Sequence, residues 1–134
     1  MGWRKNRSKH LKELTGMVLA VGLLTLAVLP APATPPPFQI MIESGSPYFL
    51  PASATVTTGA HIRWDNPTPS PHTVTHDGCL TGDPCMFDSG SVPPNGHYTV
   101  PGLPPGRYPY HCSLHPIMRG MLIVVEPTAV PSQT

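Results

Sequence analysis

The sequence predicts an all-β fold, a β-sandwich of about seven to eight short strands. Three observations carry this reading. Apolar and β-branched residues alternate with polar ones in short runs, the period of a half-buried strand. The 134 residues include 20 prolines and 12 glycines, which cut the chain into short pieces; here they serve as turn residues rather than as a disordered composition. Beyond the N-terminal segment, no stretch of useful length repeats apolar residues at the helical period. Short strands spaced by turn signals over roughly 90 residues are the pattern of a sandwich.

Residues 1–33 read as a helical export signal. Arg4, Lys5, Arg7, Lys9 and Lys12 precede an apolar run from Met17 to Leu29, and Ala31-Pro32-Ala33 offers a small-x-small cleavage site. The run is short for a membrane span; uncleaved, the segment would be an N-terminal anchor. Residues 34–37 form a Pro-rich spacer. The folded domain is expected over 38–126, with a flexible tail over 127–134.

Within the domain, Phe38, Ile40 and Ile42 alternate with Gln39 and Met41 as a first strand, broken by Ser44-Gly45-Ser46-Pro47. Thr55-Val56-Thr57 is a second strand. His61 to Trp64 is a third, with Ile62 and Trp64 on one face and Trp64 expected in the core. Asn66 to Pro71 holds too many prolines for a strand interior. Extended structure resumes from His72 to Thr75, and residues 77–86 form a loop. A short strand is expected from Phe87 to Val92, a turn at Pro93 to Gly96, and a strand from His97 to Val100. The run from Arg107 leads to Cys112, and Met121 to Val125 is a final strand.

Charged residues make up only 11% of the chain. Outside the N-terminal segment, Arg63, Arg107 and Arg119 face Glu43, Asp65, Asp77, Asp83, Asp88 and Glu126. That mildly acidic balance, without a basic stripe, argues against nucleic acid as a partner.

The chemistry concentrates between Tyr110 and Gly120. Cys112, His115 and Met118 supply a thiolate, an imidazole and a thioether at intervals of three residues. A trigonal copper site of two histidines and a cysteine, with a long axial methionine, needs one more histidine. His72, in Pro71-His72-Thr73-Val74, supplies it. Met121 competes with Met118 but opens an apolar strand, so Met118 is assigned to the axial position. Strand alternation turns His111 away from the metal. His61 and His97 are expected to face solvent, and His76 to lie near the site mouth. Three cysteines in an exported chain leave one odd. A Cys79–Cys85 disulfide with Cys112 on the metal accounts for all three, whereas a second metal site would lack a paired histidine.

The run Val56-Thr57-Thr58-Gly59-Ala60-His61-Ile62-Arg63-Trp64-Asp65-Asn66, then Pro71-His72-Thr73-Val74, then Gly106-Arg107-Tyr108-Pro109-Tyr110-His111-Cys112 resembles the cupredoxins, the plastocyanin-like family. Two residues separate Cys112 from His115 and two separate His115 from Met118. That short ligand loop is amicyanin-like; the plastocyanin and pseudoazurin loops are longer before the methionine. The resemblance implies a Greek-key β-sandwich and one mononuclear type 1 copper ion bound by His72, Cys112, His115 and Met118. It implies that the Thr73 N–H donates to the Cys112 sulfur. It also implies redox-protein partners docking on an apolar patch around His115, for which Pro69, Pro71, Leu114, Pro116 and Ile117 are the candidates here, with Met86 as a further one. The Cys79/Cys85 loop and the Pro-rich termini depart from the family pattern.

The function expected is that of an exported, periplasmic or extracellular, monomeric blue copper protein that carries single electrons and is not an enzyme. Membrane contact would come only through an uncleaved N-terminus. The alternatives are a copper storage or chaperone protein, which would favour several exposed methionines or histidines, and an accessory domain of a copper oxidase, whose binuclear site would need two loop cysteines. Zinc also suits cysteine and histidine.

Overall fold

The computed structural model describes residues 27–129. The segment read as an export signal lies for the most part outside the described residues, as do the last five positions of the tail. Among the described residues no helix is long and apolar enough to cross a membrane. Thr34–Thr134 forms one compact unit, separate from Met1–Ala33.

Its described residues form eight strands and one turn of helix: β1 (Phe38–Ile42), β2 (Phe49–Leu50), β3 (Ser53–Thr57), β4 (Ile62–Asp65), β5 (Thr75–His76), α1 (Gly78–Thr81), β6 (His97–Val100), β7 (Gly106–His111) and β8 (Arg119–Val125). They form two four-stranded sheets, ordered β2-β1-β4-β6 and β3-β8-β7-β5. The pairs β1–β4 and β3–β8 are parallel and the others antiparallel. The expected β-sandwich is the fold observed.

Alternation explains the pairing. Ile40 and Ile42, Ala54 and Val56, Ile62 and Trp64, Tyr108 and Tyr110, and Leu122 and Val124 are all buried at every second position. Each aliphatic side chain so buried contributes about 1.5–3 kcal/mol, and a slip of one residue would turn the whole set outward. Aromatic rings join the sheets. Tyr110 of β7 meets Phe49 of β2 edge-on at 4.9 Å and Trp64 of β4 at 5.5 Å. Gly120 of β8 lies under the Tyr110 ring, where any Cβ would overlap it.

Pro109 sits in β7 between β8 and β5, a position that sequence rules disfavour. The ladder with β5 reaches only Tyr110. The Pro109 carbonyl accepts from the Asp77 N–H at 2.9 Å, and the Asp77 carbonyl turns to the Leu80 N–H at 3.0 Å. The missing proline N–H therefore leaves no acceptor stranded.

Three expectations are corrected. Phe87–Val92 is not a strand; Asp88 and Val92 make isolated bridges, to Thr75 and His72. Gly90, in the left-handed region, breaks the run between them. Strand β5 begins only at Thr75, although His72 already exchanges backbone bonds with Val92 at 2.7 and 3.1 Å. The 77–86 loop contains α1, ended by Gly82 in the left-handed conformation. The short strand β2 had no legible pattern of its own.

Candidate metal centre

The centre lies at one end of the sheet β3-β8-β7-β5. His72 enters through its bridge to Val92, just before β5. Cys112 follows β7, and Met118 precedes β8. Residues 112–118 form a tight loop closed on itself: Cys112 N–H donates to Met118 O at 3.1 Å, His115 N–H to Cys112 O at 3.2 Å, and Met118 N–H to His115 O at 2.9 Å. Two residues between successive donors match these turns.

The donor atoms converge. Cys112 Sγ lies 3.8 Å from His72 Nδ1 and 3.7 Å from His115 Nδ1. The ligand atoms of His72, Cys112 and His115 all fall within 4.8 Å of one another. With metal bonds of about 2.0 Å to imidazole and about 2.3 Å to thiolate, donors 120° apart stand about 3.7 Å apart, against about 3.5 Å for a tetrahedral angle. Both sulfur–nitrogen spacings suit one metal shared by a cysteine sulfur and two imidazoles, the donor set copper prefers with a weak axial ligand. Met118, 2% exposed, lines a cavity of about 190 Å³ together with His72 and His115.

The surroundings orient each donor. The Thr73 N–H donates to Cys112 Sγ at 3.2 Å. The Thr73 hydroxyl accepts from the Ser113 N–H at 2.7 Å, so one residue ties the His72 strand to the cysteine. His72 Nε2 lies 3.0 Å from Thr68 Oγ1. If Nδ1 is to hold a metal, Nε2 carries the proton and donates to that hydroxyl, which in turn donates to Asn66 Oδ1 at 2.7 Å. Asn66 donates to the carbonyls of Ser70, Val92 and Pro93 at 2.9, 3.0 and 3.2 Å, which fixes the whole turn. Burial, and secondarily the charge of a protonated His115, hold His72 below the usual imidazole value. A neutral imidazole at neutral pH is the state that binds metal.

Other sequence expectations can be located. His61 and His97 are exposed. His111 is buried, with Nδ1 2.6 Å from Asp77 Oδ1. His76 does not lie at the site mouth: it is buried beside Phe87 and Tyr108 and accepts from the Met86 N–H at 3.4 Å. Pro69, Pro71, Leu114, Pro116 and Ile117 are exposed, Ile117 by 73%. Met86 instead packs half-buried against the hydrophobic core. Cys79 and Cys85 form a disulfide, and Cys112 is the free cysteine, fully buried. Sequence reasoning missed Asn66 and Thr68. The cluster of turn-forming residues from 66 to 71 signalled a turn, but nothing in it marked a partner for His72.

A two-sheet sandwich carrying a buried cysteine sulfur between two imidazoles defines a candidate mononuclear metal site of the His₂Cys type. The cupredoxin-like domain model matches residues 16–124, and the chain belongs to that family. Among solved structures, the chain is similar to a purple cupredoxin from Nitrosopumilus maritimus, with 22% identity over 66% of this chain and 99% of that one, at a TM-score of 0.58. It is also similar to a reduced amicyanin variant, with 22% identity over 66% of this chain and 82% of that one, at a TM-score of 0.58. A copper-containing nitrite reductase from Thermus scotoductus matches with 24% identity over 71% of this chain but 24% of that one, at a TM-score of 0.60. These likenesses establish the fold. Together, the family and the His72, Cys112 and His115 cluster support a single copper site.

Proposed function

We propose that this protein is an exported one-electron carrier with a type 1 copper centre held by His72, Cys112, His115 and Met118. The observation that carries the reading is the convergence of one cysteine sulfur with two imidazole nitrogens, His115 Nδ1 at 3.7 Å and His72 Nδ1 at 3.8 Å from Cys112 Sγ, on a β scaffold. Copper supplies the Cu(II)/Cu(I) couple, and the protein supplies donors that suit both states. His72 and Cys112 are buried and fixed by Thr68 and Thr73, so the donors need not rearrange when the charge changes. Four protein donors leave no open position for a substrate, which favours a carrier over an enzyme.

His115 is the exposed donor, and Leu114, Pro116 and Ile117 around it are exposed too. An apolar surface around a metal-bound imidazole suits brief docking with redox proteins, because it desolvates easily and places the partner next to the ring. The monomeric state and export to an oxidising compartment belong to the same proposal; a disulfide between Cys79 and Cys85 accords with that setting.

The test is to load the mature protein with Cu(II) and record its visible spectrum. An intense thiolate-to-copper band, bleached by reductant and restored by oxidant, is expected. A colourless adduct, or one that reductant destroys irreversibly, would reject the carrier reading in favour of zinc binding or copper storage.

A further inference from the structure

One carboxylate holds both stems of the metal-binding loop. His111 and Arg119 stand opposite each other in the β7–β8 ladder, immediately outside Cys112 and Met118. Asp77 reaches both. Its Oδ1 lies 2.6 Å from His111 Nδ1, and its Oδ2 accepts from Arg119 Nη1 at 3.2 Å. An exposed ion pair such as the Arg119 arm contributes little alone. The His111 arm is different, because that ring is buried and the carboxylate is its close partner. Between the stems, Ser113 to Ile117 are exposed and the loop's backbone bonds run mainly within the loop. Apart from the Thr73 contacts and the bond that the Ser113 hydroxyl donates to Thr75 Oγ1 at 3.1 Å, the stems set where Cys112, His115 and Met118 stand relative to His72.

Asp77 is itself held by the disulfide loop. It is the N-cap residue of α1, yet its side chain makes no capping bond, because it points to β7 and β8 instead. A single turn of helix does not persist unaided. Here Cys79, within α1, is joined to Cys85 six residues on. Gly78 is packed so closely against the His76 ring and the Pro84 carbonyl that a Cβ would clash with both. The covalent loop therefore fixes the residue next to Asp77.

We propose that Asp77 is a positioning residue for the metal centre, clamping both stems of the 112–118 loop, and that the Cys79–Cys85 disulfide holds Asp77 in place. The proposal rests on the ligand loop identified above and gives the disulfide, otherwise a surface feature, a role at the metal.

The test is amide hydrogen exchange on the metal-free, full-length oxidised protein. The reporters are the hydrogen-bonded amides of Ser113, His115 and Met118, with Ile40 and Trp64 of the other sheet as controls for global opening. Asp77→Ala is expected to speed exchange in the loop by roughly tenfold, the loss of a charge-assisted hydrogen bond, with the controls unchanged. Asp77→Asn, which keeps an acceptor for His111, should restore part of the protection. The double variant Cys79→Ser/Cys85→Ser should reproduce the loop effect and add little on top of Asp77→Ala. Loop amides that change no more than Ile40 and Trp64, or cysteine and aspartate effects that add in full, would overturn the proposal. Where Asp77→Ala fails to fold, Asp77→Asn and Arg119→Gln carry the same comparison. Copper loss to a chelator from the same variants separates the two readings: a loosened loop that keeps its copper as tightly as before supports the clamp and sinks the ligand assignment.

Discussion

His72 Nε2 lies 3.0 Å from the hydroxyl of Thr68, and both residues are buried. Thr68 therefore decides which imidazole nitrogen is free for metal. Its hydroxyl donates its hydrogen bond to Asn66 Oδ1, so it can accept from His72 without conflict. Thr68→Val keeps the shape and removes the acceptor. It should lower copper affinity about 10–100-fold, as measured by competition with a chelator, with the fold intact by circular dichroism. Unchanged affinity would show that His72 is oriented by packing alone.

Cys112 and Met118 are expected to act on different properties of the centre. Cys112→Ser should abolish the intense visible band, and retained colour would show that another residue supplies the thiolate role. Met118→Leu should keep the colour and raise the reduction potential, because a weak donor to the oxidised metal is lost. The volume is nearly conserved, so the cost in stability should stay below about 1.5 kcal/mol. Voltammetry and chemical denaturation read the two effects separately.

The depressed His72 value gives a pH signature in the metal-free protein. In the unfolded chain the imidazole takes up a proton near pH 6.5, whereas in the folded chain it resists until lower pH. Below about pH 6.5 the unfolded state thus binds more protons, and stability should fall as pH decreases toward the folded value. His72→Gln should flatten that part of the urea-midpoint profile; an identical slope would mean that other groups dominate.

Gly120 is needed for the close approach of β8 to Tyr110. Gly120→Ala forces the ring off its contacts with Phe49 and Trp64. It should destabilise the protein by about 1–3 kcal/mol in chemical denaturation. Gly45, which has open space around it, should tolerate alanine within about 0.5 kcal/mol.

Much of this molecule could be read from the chain alone, for physical reasons. Cys112, His115 and Met118 lie on one loop, so their proximity was guaranteed by covalent spacing. Trp64 and the alternating strands announced the core because burial imposes a period of two. The odd cysteine count pointed to the Cys79–Cys85 pairing. What escaped were relationships that only folding creates. Thr68 becomes a partner of His72 because Asn66 folds its turn back onto Val92 and Pro93. His76 goes to the interior rather than the rim, its ring set between Phe87 and Tyr108, partners that lie 11 and 32 residues on in the chain. Phe87 and Val92 imitated a strand because both are buried, but they are buried as isolated contacts rather than as a ladder.

His72, Cys112 and Met118 enter from β5, β7 and β8, which are neighbours in a single sheet. The opposite sheet reaches the centre through the turn after β4, where Asn66 and Thr68 hold the His72 ring. A slide of one layer over the other would therefore leave Cys112 and Met118 together and be felt first at the His72 ring. For the proposed carrier, the Thr68–His72 bond is thus where motion between the layers would reach the reorganisation energy.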